Sequence, residues 1–161
     1  RGLGPSSGTL SEEALVDDGL QVLDWLCAKT QLPVSAIVII GRSLGSGIAV
    51  QVAAARNVAG MILISPFDRL LNVIRNRIRF FPDFLLQDKF NSVEHISQVS
   101  CTILCITGAC DTTIPPELTK ALFIQWAGQL IEHNVPEGRH RGLLRYHSVQ
   151  SEVALFLAEL R

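Results

Sequence analysis

Gly41-Arg42-Ser43-Leu44-Gly45 sets a serine in a G-x-S-x-G pattern, with the apolar run 36–40 before it and the helix-forming run 46–55 after it. A serine hydroxyl becomes a useful nucleophile when a sharp strand-to-helix turn presents it beside a base, and this pattern in this context builds such a turn. The turn holds the serine in a strained backbone conformation that calls for small neighbours two residues away on each side. Gly41 and Gly45 are read as meeting that need. Helix entry directly after Ser43 aims the Leu44 N–H and the helix dipole at developing negative charge, so Leu44 is the expected oxyanion donor.

A nucleophilic serine requires a base and an orienting carboxylate, expected downstream on loops that follow strands. The β-branched run 102–107 leads into G-A-C-D-T-T-I-P at 108–115, which puts Asp111 just past a strand. The run 129–135 leads into P-E-G-R-H-R-G at 136–142, a glycine-flanked loop that carries His140. Asp68, just beyond the strand candidate 60–65, is the rival acid. His133 inside a strand, His147 at a helix start and His95 between strands are the rival bases. A loop histidine after the last strand has the best geometry, so Ser43, Asp111 and His140 are the expected triad, in that chain order.

On these residues the chain resembles the α/β-hydrolase family and, within it, the Bem46-like serine hydrolases. Residues 1–8, R-G-L-G-P-S-S-G, are similar to that group's R-G-x-G-x-S-x-G loop, and 41–47 to its elbow. Ser65-Pro66-Phe67 resembles its S-P-F, and 108–115 its G-x-x-D-x-x-x-P acid loop. Gly138-Arg139-His140 departs from the Gly-Gly-His or Gly-His that is frequent in the group. The resemblance implies cleavage of a small ester, thioester or other acyl substrate through an acyl-enzyme, with no cofactor and no metal. It also implies a small lid over the nucleophile within about 67–100, where a pair of amphipathic surface helices is the alternative; Phe67, Phe80, Phe81 and Phe84 are the expected substrate-contacting side chains, although aromatic residues at this spacing are as often core. Because the resemblance starts after the family's fourth strand, the chain reads as the C-terminal part of a longer protein. The second oxyanion donor would then lie upstream, unless a backbone N–H of the loop from Gly2 to Gly8 replaces it. The strand at 36–40 would be an open edge, and the isolated chain a poor enzyme that self-associates.

The elements that must position these residues alternate regularly, which gives an α/β class with about four parallel strands in one domain over 1–161. The strands are expected at 36–40, 60–65, 102–107 and 129–135. These are continuous apolar runs, the pattern of parallel strands covered on both faces. Helices are expected at about 11–30, 44–56, 116–126 and 148–160, the first opened by the capping residue Ser11. A length of 161 residues, 48% of them hydrophobic, suffices for one buried core, and a net charge of −1 argues against a nucleic-acid binder. No run has the length of a membrane span or the form of a signal peptide, so a cytoplasmic location is expected for this chain. Cys27, Cys101, Cys105 and Cys110 form no C-x-x-C pair and are read as free thiols. Three readings follow: a serine hydrolase, a non-catalytic module of the same fold, and a transacylase in which an alcohol or amine replaces water.

Overall fold

A computed structural model describes residues 6–124 and 126–160 of the chain. Ser11 accepts the Ala14 N–H and opens α1 (Glu12–Thr30), with Glu12 and Glu13 on the positive end of its dipole. Then follow β1 (Val38–Arg42), α2 (Leu44–Ala55), β2 (Gly60–Ile64), α3 (Leu70–Arg75) and α4 (Ser92–His95). The chain continues through β3 (Thr102–Gly108), α5 (Pro116–Phe123), β4 (Leu130–Val135) and α6 (His147–Glu159). The four strands form one sheet in the order β1-β2-β3-β4, every neighbour parallel. The fold expected from the sequence is the fold observed. One difference matters for the site: β1 runs two residues further than the apolar pattern suggests, through Gly41 and Arg42, and delivers the chain straight to Ser43.

Alternation along the central strands divides the core into two layers. Met61, Leu63 and Ile103 face the side covered by α2 and α5, where they meet Val50, Val52, Ala53 and Leu122. Ile62, Ile64, Leu104 and Ile106 face the opposite side and pack against Val149 and Phe156 of α6. All five residues of β2 are buried, so this strand reads as purely apolar. Burying one such aliphatic side chain contributes about 1.5–3 kcal/mol. Helix α1 sits in an outer layer against α2, and only Leu23 of its residues is fully buried.

The connection between β2 and β3 leaves the sheet and returns on itself. A bridge pairs Arg69 with Asn91, and the Leu70 N–H donates to the Lys89 carbonyl at 3.2 Å, so both ends of the excursion are tied together. Glu12 fastens the returning end to the helical layer. Its carboxylate accepts the backbone N–H groups of Lys89 and Phe90 at 2.8 and 2.9 Å and the Gln51 amide at 2.7 Å. Among the described residues no helix is long and apolar enough to cross a membrane.

Two outcomes can be measured. Among the described residues β1 pairs on one side only, and Ile40 on it is 60% exposed. An unpaired, apolar edge strand templates association, and a lysine there blocks it. The mass of the 161-residue chain by light scattering should therefore rise with concentration, and Ile40→Lys should flatten that rise. A constant monomer mass for the unsubstituted chain would refute the edge as a contact. The thiols should also separate by reactivity: burial pushes Cys101 and Cys105 up, the Glu132 carboxylate adding to the shift at Cys105, while Cys110 is exposed. Iodoacetamide on the native protein should modify Cys110 and leave Cys105 intact until denaturant is added. Mass spectrometry showing early modification of Cys105 would contradict the packing.

Candidate active site

The carboxyl ends of parallel strands lie at one edge of the sheet, where ligand crevices of open α/β sheets form. Here β1 ends at Ser43, β3 feeds the loop bearing Asp111, and β4 feeds the loop bearing His140. Three residues far apart in sequence thus arrive at one place through the parallel pairing of the strands and the loops that follow them.

Ser43 adopts φ 52° and ψ −124°, a conformation that costs a non-glycine residue about 1–3 kcal/mol. Packing and hydrogen bonds on both sides hold it there. The Ser43 N–H donates to the Ile64 carbonyl of β2 at 2.9 Å, and the Ser46 hydroxyl and N–H donate to the Ser43 carbonyl at 2.6 and 2.8 Å. Gly41 makes the turn possible: a Cβ there would lie 2.6 Å from Ala49 Cβ and 2.7 Å from the Gly45 carbonyl oxygen. Gly45 differs from expectation. A Cβ at that position meets nothing within 4 Å, so the steric demand inferred from the motif falls on Gly41 alone. Leu44 is the first residue of α2, and its N–H belongs to the first turn, which has no intrahelical acceptors.

Asp111 is 4% exposed, and its carboxylate is fully used. Oδ1 accepts the N–H groups of Thr113 and Ile114, each at 2.9 Å, and Oδ2 accepts from His140 Nδ1 at 2.8 Å. His140 Nε2 lies 3.0 Å from Ser43 Oγ. A carboxylate only accepts, so the hydrogen-bond pattern puts the imidazole proton on Nδ1 and leaves Nε2 to accept from the serine hydroxyl. The loops bearing Asp111 and His140 are locked together beneath these side chains. A Cβ on Gly108 would strike the Gly138 backbone, and the Cys110 N–H donates to the Gly138 carbonyl at 2.9 Å. Arg42, the residue before the serine, donates from its guanidinium to the His140 carbonyl at 3.0 Å and so ties the elbow to the His140 loop. The spacing of the motif does not reveal that contact, because the two residues are brought together by the sheet.

The rival residues lie elsewhere. Asp68 is buried at the start of α3, where its carboxylate accepts the Asn72 amide, and its other oxygen has no partner. His133 meets Ser148 Oγ at 3.2 Å, His147 meets Ser151 Oγ at 3.4 Å, and His95 closes α4. None of the four phenylalanines lines the cleft at His140. Phe67 is 1% exposed and packs with Phe90 and Ile114, behind α2 at Gly47. Phe80 and Phe84 are 85% and 81% exposed, and Phe81 is half-buried. The cleft beside His140, about 700 Å³, is lined instead by Arg77, Cys110, Thr112, Thr113, Arg139 and Arg141. Residues 1–5, and with them most of the glycine loop suggested as a spare donor, lie outside the described residues. Among the described residues no group of three or more His, Cys, Asp or Glu side chains is placed to hold a metal ion.

No family model matches the chain. An uncharacterized protein of Mycobacterium tuberculosis is 33% identical over 123 residues, which cover 76% of this chain and 44% of that protein. The alpha/beta hydrolase domain-containing protein WAV2 of Arabidopsis thaliana is 26% identical over 87% of this chain and 52% of its own length. The lysophosphatidylserine lipase ABHD12 of Gallus gallus is 30% identical over 76% of this chain and 37% of its own. The chain therefore spans about half or less of the length of these relatives. Among solved structures, an alpha-beta hydrolase from Vibrio vulnificus superimposes with a TM-score of 0.78 over 96% of this chain and 60% of its own, at 20% identity. The parallel sheet, the left-handed serine at the strand-to-helix turn and these relatives define the class: the chain belongs to the α/β-hydrolase family.

The two glycines of the elbow should respond oppositely to the same substitution. Gly41→Ala forces β1 and α2 apart and should cost about 1–3 kcal/mol of stability. Gly45→Ala, in open space within a helix, should be neutral or stabilising by up to about 1 kcal/mol. Chemical denaturation of both variants tests this, and equal destabilisation would reject the asymmetry.

Proposed function

We propose that the chain is the catalytic part of a serine hydrolase that cleaves an ester or thioester, with Ser43 as nucleophile, His140 as general base and acid, and Asp111 as the orienting carboxylate. The observation that carries this reading is the continuous pair of hydrogen bonds from Asp111 Oδ2 through the His140 ring to Ser43 Oγ, at 2.8 and 3.0 Å. Within the family we place it with the Bem46-like hydrolases, on the elbow, S-P-F and acid-loop motifs. The name of the ABHD12 relative, a lipase, supports a carboxylic ester as the bond attacked.

The steps follow from the geometry. Ser43 Oγ attacks the acyl carbon as its proton passes to His140 Nε2, and the ionised Asp111 stabilises the imidazolium through Nδ1. Negative charge on the acyl oxygen meets the Leu44 N–H and the dipole of α2. The C–O or C–S bond then breaks, the leaving group takes the proton from Nε2, and an acyl-serine remains. Water, deprotonated by His140, attacks the acyl-serine, and Ser43 recovers its proton.

Covalent labelling by a fluorophosphonate probe tests the nucleophile. The protein should label, Ser43→Ala should abolish the label, and persistent labelling would reject Ser43. Asp111→Asn should reduce turnover by about 10⁴-fold, because the amide favours the wrong imidazole tautomer. Activity of Asp111→Asn within tenfold of the parent, measured on a p-nitrophenyl ester, would reassign the acid.

A further inference from the structure

The cleft beside His140 carries a charge pattern that acyl transfer alone does not require. Its lining includes the guanidinium side chains of Arg77, Arg139 and Arg141 and no carboxylate. The side chains of Arg139 and Arg141 make no ion pair or hydrogen bond among the described residues, and the Arg77 guanidinium makes one hydrogen bond, at 3.4 Å, to the Thr113 hydroxyl. Asp111, in the neighbouring loop, spends both oxygens on its own loop and on His140. A fourth guanidinium, that of Arg42, lies against the His140 carbonyl. Like charges gathered on one concave surface repel, and the usual relief, an interleaved Asp or Glu, is missing from this lining.

The walls that carry these arginines are fixed. The C-terminal turn of α3 is anchored to the acid loop by the Asn76 amide, which donates to the Thr112 carbonyl at 3.2 Å, and by Arg77 itself. On the opposite side, Arg139 and Arg141 flank the base in a loop pinned by the Gly108–Gly138 contact and by Arg42. Guanidinium groups with two donors facing outward match phosphate oxygens bidentately. The cleft holds about 700 Å³, room for a group larger than a single anion.

The position of the cleft fixes which part of a substrate reaches it. The leaving group must take its proton from His140 Nε2, so it departs on the imidazole side, and His140 itself lines this cleft. We infer that Arg77, Arg139 and Arg141 form a subsite for a phosphate carried on the leaving alcohol or thiol, so that the substrate is an ester or thioester of a phosphorylated carrier. This rests on the hydrolase reading above and adds to it the chemistry of the leaving group. In the transferred state the acyl group stays on Ser43, and the phosphorylated alcohol or thiol leaves neutral at its own oxygen or sulfur, the phosphate unchanged.

Binding of the leaving group alone tests the subsite without turnover, so its outcome is independent of whether Ser43 reacts. The protein is titrated by calorimetry at low salt with glycerol 3-phosphate against glycerol, and with coenzyme A against N-acetylcysteamine. At least one phosphorylated member should bind about tenfold or more tightly than its neutral partner, the glycerol pair assigning an ester carrier and the thiol pair a thioester carrier. Arg139→Ala/Arg141→Ala, checked for folding by circular dichroism, should erase the difference. Arg141→Glu should lower phosphate affinity further. Arg79→Ala, whose guanidinium lies over the Phe80 ring outside the cleft, should keep it. Equal affinity for charged and neutral members in both pairs would overturn the inference, as would an undiminished preference in the double variant. Loss of the preference in Arg79→Ala to the same extent would also overturn it, because general surface charge would then account for the binding.

Discussion

The left-handed backbone at Ser43 is the constraint on which the rest of the site depends. It is unfavourable on its own and persists because the structure around it is over-determined. β1 is held in register by β2, α2 lies within touching distance of Gly41, and the Ser43 carbonyl is bound by Ser46. Release any of these and the turn relaxes, the hydroxyl swings away, and the first N–H groups of α2 lose their aim. The strain is thus maintained by a buried part of the core, to which β2 contributes five buried residues.

A second dependence lies under Asp111 and His140. Asp111 and His140 sit on loops, ordinarily the least rigid parts of a fold. Their placement is supported by two glycines in back-to-back contact and by a backbone bond between the loops, which joins the two loops directly. Arg42 then links that unit to the elbow through the His140 carbonyl. The three-residue line of hydrogen bonds is therefore braced at the backbone on both sides of the imidazole.

Charge is distributed unevenly over a chain that is nearly neutral overall. The net charge is −1, yet the mouth beside the imidazole is lined by arginines, and carboxylates such as Glu12 are spent on backbone amides far from it. Net charge describes solubility and long-range fields, whereas recognition is decided by the few charges that converge on one cavity.

The sequence alone determined the α/β class, the four strands, the cap of α1 and the elbow, because each is written in local signals: continuous apolar runs, Ser11 before an acidic turn, glycine beside a serine. It also ranked Asp111 and His140 above their rivals, since both follow strands and the parallel arrangement brings strand ends together. Tertiary structure decided what local pattern cannot encode. It gave the steric demand to Gly41 and withheld it from Gly45, because only the approach of α2 to β1 shows where a Cβ would collide. Phe67 went into the core behind the elbow, and Phe80 and Phe84 to the surface, because aromatic residues at the same spacing serve either role until packing is known. Finally, it gathered Arg77, Arg139 and Arg141 from two distant segments onto one cleft, a convergence that no spacing within either segment contains.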